Sequence, residues 1–306
     1  MDQQYPRVGW KAKTIREHLS NKVNEWIHSI EDREVREMLF DNVIVTGGSI
    51  CSMLLGEKIN DYDINFRTKE VTKAVANYYA DKHNARNGDN MHHRKVEVRE
   101  EALTNCRGEV EERVTLWIAS DGYVADESMA SDLDIAKDLG TEIEYAPYRV
   151  SFMSQNAISL TGDVQLIIRF YGDPETIHDN FDFAHAMCWY EHGRQDNRSD
   201  LLILDPEAME AMLSRVLIYK GSLYPIASIF RMKKFIERGW RITAGQQLKI
   251  MWQISELDLN DPVLLREQLT GVDMAYMYAL IAALKNVDPN KINSTYVGKV
   301  IDRIFE

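Results

Sequence analysis

One short punctuated run, Val43 to Phe66, limits what this chain can fold into more than any other part of it. Val43-Ile44-Val45 is an apolar stretch of strand length, stopped by Gly47-Gly48, and reads as a buried strand. Ser49 is placed to cap a helix that runs through Leu55 and ends near Gly56. Asp61-Tyr62-Asp63-Ile64-Asn65-Phe66 then alternates polar and apolar, the pattern of a half-buried strand. Residues two apart on a strand share a face, so Asp61 and Asp63 project together while Tyr62 and Ile64 point the other way.

Each piece has a physical use. Glycines let a backbone approach an anion without a Cβ in the way. The helix start aims free N–H groups and a positive dipole end at the same place, and the hydroxyl of Ser49 adds a donor. Paired hard carboxylates suit Mg²⁺ or Mn²⁺, with substrate phosphates completing the shell. Two metals on such a pair can align a hydroxyl with an α-phosphorus and neutralise departing pyrophosphate. Taken singly, a Gly-Gly turn is common and an Asp-x-Asp is more often a solvated strand face. The conjunction carries the weight, with 11 residues between Ser49 and Asp61 and a helix and strand in the right places.

The run Gly47-Gly48-Ser49 … Asp61-Tyr62-Asp63-Ile64 resembles the defining motif of the DNA polymerase β-like nucleotidyltransferase superfamily. That group includes poly(A) polymerases, CCA-adding enzymes, antibiotic nucleotidyltransferases and cyclic-dinucleotide synthases. The resemblance implies an α+β, mixed-sheet catalytic domain followed by an all-helical domain. It implies Asp61 and Asp63 as metal-holding catalytic residues, Gly47, Gly48 and Ser49 as triphosphate ligands, and a nucleoside triphosphate as substrate. It hardly constrains the acceptor. CCA-adding and poly(A) polymerases are the nearest in look, and the chain is also similar in look to phage-encoded nucleotidyltransferases.

Many superfamily members carry a third acid on a later strand. Here Val164-Gln165-Leu166-Ile167-Ile168 is the strand expected to supply it, with the uncharged Gln165 in the inward position. Asp163 lies just before, in a Thr-Gly-Asp context that reads better as a hairpin turn. Asp182 is the remaining candidate catalytic acid: Phe181-Asp182-Phe183-Ala184-His185-Ala186 loosely resembles a stretch of the bacterial and eukaryotic CCA-adding enzymes, without the arginines that usually precede it. A cap on a helix starting at Ala184 accounts for Asp182 equally well. His185 reads as a packed histidine.

Composition enters where partners are concerned. The chain has 306 residues and a net charge of −12, which argues against a protein that coats nucleic acid over its whole surface. Yet between Ser214 and Ile250 the only acid is Glu237, and Arg231, Lys234 and Arg238 recur at spacings that place them on one helical face. That stripe, in a segment similar to the arginine-bearing helix of CCA-adding and poly(A) polymerase relatives, fits a triphosphate tail or an RNA backbone. A solvated helix face fits as well. Cys51, Cys106 and Cys188 are far apart with no CxxC pair, which speaks against zinc and disulfides. His83 and the pair His92-His93 lack a fourth ligand for zinc. No run of membrane-spanning length and no signal core appears, so a cytoplasmic protein is expected.

Along the chain, helices are expected at 11–30, 32–39, from Glu70 to Tyr79, at 174–178 and at 184–191. A β-hairpin is expected around Thr161-Gly162-Asp163. Beyond Pro206 the pattern is helical over 206–220, 224–238, 243–255, 261–268 and 272–285. The domain division falls near residue 200, with an irregular insertion over about 84–147 that includes one strand at 114–118. The expected activity is metal-dependent nucleotidyl transfer, with a tRNA-like RNA 3′ end preferred as acceptor. The alternatives are nucleotidylation of a protein or small molecule, cyclic nucleotide synthesis included, and a decayed module that only binds nucleotide or RNA.

Overall fold

The computed structural model describes residues 9–87, 95–104, 108, 110–118, 123–125, 147–193, 200–259 and the single positions 264, 268 and 299. The chain divides into two compact units, Met1–Lys220 and Gly221–Glu306. The expected helices at 261–268 and 272–285, together with Cys106, His92 and His93, fall almost wholly outside the described residues.

The first unit is built on a mixed sheet of eight strands. In chain order these are β1 (Val43–Thr46), β2 (Tyr62–Phe66), β5 (Tyr123–Ala125), β6 (Val150–Ser154), β7 (Ala157–Leu160), β8 (Val164–Tyr171), β9 (Trp189–His192) and β10 (Leu201–Ile203). The spatial order is β10-β9-β1-β2-β8-β7-β6-β5. Pairing is antiparallel except between β2 and β8, which run parallel. Strands β3 (Val96–Thr104) and β4 (Val110–Ile118) form a separate antiparallel hairpin.

Cross-strand register sorts the sheet into two faces. One row, Tyr190–Val45–Ile64–Leu166–Ile158–Met153, crosses six strands and is at most 1% exposed. Helix α1 (Ala12–Ser29) contributes Ile15, Leu19, Val23, Trp26 and Ile27 to the core, and α4 (Lys69–Asn87) contributes Val71, Val75, Ala76 and Tyr79. The indole N–H of Trp26 donates to the Tyr79 hydroxyl at 2.9 Å, so the one polar atom of that large side chain is satisfied inside the core. The neighbouring row, Thr46–Asp63–Gln165–Ser159, lies on the other face, and three of its four members are half-buried. Period-two alternation thus sends apolar residues to one face and the polar candidates to the other.

Three expectations need correction. Helix α4 continues to Asn87, past the expected end at Tyr79, and the segment from Asn84 is helical instead of a loop. The reason is tertiary: the Asn84 amide donates to the Val96 carbonyl at 2.8 Å and its oxygen accepts from the Val96 N–H at 3.0 Å. The stretch read as irregular holds the β3–β4 hairpin, whose charges hid its period. Val114, Leu116 and Ile118 alternate into the interior, while Lys69 of α4 pairs with Glu112 at 2.8 Å and Glu100 at 3.0 Å. Residues 184–191 are not a helix but a 3₁₀ turn, Ala184–Ala186, followed by β9. Strand β9 lies between β1 and β10, and two ladders override a local pattern that favours helix.

The remaining elements follow the sequence more closely. Helix α2 (Arg33–Leu39) is capped by Asp32, α3 (Gly48–Leu55) ends on a left-handed Gly56, and α5 is Pro174–His178. Helix α6 (Pro206–Ser214) stops short of the expected residue 220 because Arg215 adopts a left-handed C-cap at φ 54°. In the second unit, α7 is Pro225–Glu237 and α8 is Ala244–Ser255, with Leu223, Tyr224 and Ala227 forming a small buried cluster. No described helix is long and apolar enough to cross a membrane.

Candidate functional site

The turn between β1 and α3 and the start of β2 meet on the polar face of the sheet. Thr46 and Asp63 are register partners, so the residue after Thr46 passes directly over the Asp63 carboxylate. That residue is Gly47, at φ 91°, where a Cβ would stand 2.6 Å from Asp63 Oδ2. The left-handed conformation favours glycine, and a Cβ there would force the Asp63 carboxylate to swing aside. Its N–H donates to the Ala186 carbonyl at 3.1 Å, fixing the turn against the 3₁₀ segment. Gly48 differs: it is exposed, and a Cβ there would meet nothing within 4 Å. The open side of the turn is thus the side of Gly48 and the N-terminus of α3.

Ser49 is 2% exposed, and its hydroxyl oxygen is buried with no hydrogen-bond partner. A buried hydroxyl without a partner costs free energy, on the order of 1–3 kcal/mol. Asp63 is half-buried, and burial first and the charge of Asp61 second push its carboxyl well above the ordinary carboxylate range. Asp61 is exposed and immediately precedes the first paired residue of β2. The two acids lie close enough to repel each other, and a divalent cation relieves both that repulsion and the desolvation of Asp63. The orphaned Ser49 hydroxyl, the glycine cradle and the pair of oxygen donors all suit a metal–triphosphate group. Among the described residues no cluster of three or more His, Cys, Asp or Glu side chains forms a metal site.

The other candidates are placed as follows. Gln165 is the register partner of Asp63 on β8, half-buried, in the position where a third acid was sought. Asp163 sits in the hairpin turn at φ 61°, with its carbonyl accepting from the Tyr62 N–H at 2.7 Å. Its charge falls on Tyr62, which points to the opposite face from Asp63. Asp182 is 8% exposed, and its carbonyl accepts from the Lys220 N–H at 2.9 Å. The 3₁₀ turn that follows has Phe183, not Asp182, at its N-cap position. Arg231 and Lys234 lie on α7 and Arg238 is its C-cap residue, with Lys234 and Arg238 exposed.

Sequence reasoning missed Thr46 and His178. The Thr46 hydroxyl donates to the Cys188 carbonyl at 2.9 Å and lies 2.8 Å from His178 Nε2. Burial lowers the pKa of His178 to about 4, so the ring is neutral. This bond ties α5 to β1 at the edge of the site. A threonine before Gly-Gly carried no signal, because its partner lies far along the chain.

A strand, a glycine turn over one aspartate of an Asp-x-Asp pair, and a helix opening beside it thus meet on the polar face of a mixed sheet. The chain belongs to the Gabija anti-defense 2 family, which matches residues 17–215. A relative from Bacillus phage SPbetaL7, described as "Gabija anti-defense 2", is 21% identical over 267 residues, covering 87% of this chain and 50% of its own length. The chain therefore spans about half the length of that curated relative. Among solved structures, a Thermotoga maritima CCA-adding enzyme complexed with tRNA is similar at a TM-score of 0.39 and 13% identity, over 90% of this chain and 58% of that one. A CCA-adding enzyme in complex with ATP is similar at a TM-score of 0.41 and 13% identity, over 94% and 58%.

Proposed function

We propose that this protein is a divalent-metal-dependent nucleotidyltransferase. The observation that carries the reading is the close approach of the Gly47 turn to the Asp63 carboxylate, where a Cβ would stand 2.6 Å from Oδ2. In this reading Asp61 and Asp63 hold the cation, and the α3 N-terminus with Gly47, Gly48 and Ser49 receives the β- and γ-phosphates. A cation held there would supply charge neutralisation for the phosphates and would lower the pKa of the acceptor hydroxyl, whose proton would leave to solvent. The acceptor oxygen bonds to the α-phosphorus as the bond to pyrophosphate breaks. Gln165 has no charge and does not serve as base. Asp182 has a catalytic role only if it reaches the acceptor. Arg231, Lys234 and Arg238 are assigned to phosphate or RNA backbone.

An RNA 3′ end, tRNA-like, is the first acceptor to test. The family's name favours a second one, a protein hydroxyl of a defence system, since anti-defence activity needs a target in that system. Incubating the chain with each labelled triphosphate and Mg²⁺ or Mn²⁺, against RNA and protein pools, separates the two by which fraction carries label. The Asp61→Ala, Asp63→Ala double variant should lose at least a hundredfold of transfer, on the order of what loss of metal-held charge stabilisation costs. Full activity in that variant would defeat the proposal. Thermal stabilisation by triphosphate with no labelled product from any acceptor would leave a binding module instead.

A further inference from the structure

The residue between the two acids is held more tightly than a strand residue needs to be. Tyr62 is 7% exposed and points away from the acidic face. Its hydroxyl is joined to His18 Nε2 of α1 by a 2.6 Å hydrogen bond. Lys22 Nζ lies over the Tyr62 ring at 5.2 Å from its centroid, and over the ring of Tyr148 at 5.5 Å. Tyr148 in turn donates to Glu25 at 3.1 Å and takes a left-handed φ of 59°, an uncommon conformation for a bulky side chain. On its other edge His18 meets Trp10 at 5.1 Å in a T-shaped contact. The Trp10 N–H donates to the Met53 carbonyl of α3 at 2.9 Å, and at Gly9 a Cβ would stand 1.8 Å from the Leu54 carbonyl oxygen.

A continuous chain of contacts thus runs from the last turn of α3, through Trp10 and His18, to Tyr62. Those are the two halves of the site: the helix whose N-terminus would receive phosphate, and the strand that bears the acids. Asp61 precedes the first ladder pair of β2, so the anchored Tyr62 is the nearest fixed point that sets its direction. On a strand, pinning one side chain fixes the peptide planes on both sides of it, and so the aim of residues i−1 and i+1. Mg²⁺ and Mn²⁺ sites are sensitive to that aim, because the ligand geometry is close to octahedral.

We propose that Tyr62, held by His18, is a positioning residue that sets the relative aim of the Asp61 and Asp63 carboxylates for a shared divalent cation. This rests on the nucleotidyltransferase reading of the same site, and the test separates the two. Mn²⁺ affinity of the full chain is measured calorimetrically, alongside the thermal midpoint, for the wild type and for Tyr62→Phe, His18→Phe, His18→Gln and Asp63→Asn. Tyr62→Phe and His18→Phe each keep a ring in place and remove the hydrogen bond. Both should weaken Mn²⁺ binding about fivefold, the equivalent of one hydrogen bond, and move the midpoint by no more than about 3 °C. His18→Gln, which can still bond to the phenol, should recover most of the affinity. Unchanged Mn²⁺ affinity in Tyr62→Phe, while Asp63→Asn abolishes binding, would overturn the positioning role and leave the metal site standing. Unchanged affinity in Asp63→Asn would overturn the metal site itself, and the positioning role with it.

Discussion

Asp63 shows at the scale of a single residue how function is set against stability. Its raised pKa means that the folded chain holds a proton more tightly than the unfolded chain does. Ionising it, as pH rises from the ordinary carboxylate range toward the raised value, therefore costs stability. Asp63→Asn should stabilise the metal-free protein by on the order of 1 kcal/mol at neutral pH, and the gain should vanish near about pH 4. Urea melts at the two pH values check this, and an equal gain at both would count against the assignment. His178 has the opposite sign. Its pKa is depressed to about 4, so its contribution is complete above about 6.5 and is lost as pH falls toward 4. The wild type should lose on the order of 2 kcal/mol across that window relative to His178→Gln. Coincident pH–stability curves for the two proteins would show that burial of this imidazole is not what is being titrated.

At the scale of elements, the two glycines of one turn separate a structural requirement from a functional one. Gly47 has a positive φ and Asp63 against it, so Gly47→Ala should destabilise by roughly 1–3 kcal/mol. Gly48 has helical backbone and open space, so Gly48→Ala should change stability by less than about 1 kcal/mol. Its methyl would nonetheless fill the space where a triphosphate approaches. The expected outcome is a normal melt without triphosphate and loss of the stabilisation that triphosphate with Mg²⁺ gives the wild type. A retained ligand shift would place the phosphate elsewhere. Gly-Gly in the sequence marks the turn, but only the Thr46–Asp63 register says which glycine carries which duty.

For the whole molecule, the net charge of −12 and the basic run of the second unit make a testable contrast. If Arg231, Lys234 and Arg238 meet RNA phosphates, replacing all three with alanine should weaken RNA binding uniformly across sequences. The slope of log affinity against log salt should flatten by about two units. Filter binding at several salt concentrations reads both effects, and an unchanged slope would return these residues to the role of a solvated helix face.

How much of this was legible in the chain depends on the range of the interactions involved. The β1–turn–α3–β2 run, the α1, α2, α7 and α8 helices and the β7–β8 hairpin were readable because local period, glycine punctuation and capping residues set them within a few turns of chain. The same local logic predicts that Asp61 and Asp63 share a face. The tertiary structure decided what depends on distant partners. Strand β9 exists because two other strands pair with it, and the extension of α4 exists because Asn84 serves the backbone of Val96. The charged β3–β4 hairpin hid its alternation behind lysine partners from α4. Local sequence determines which way a side chain points along its own element. Burial, and the neighbour it finally meets, belong to distant chain segments, 142 residues away for Thr46 and Cys188, and no local pattern encodes them.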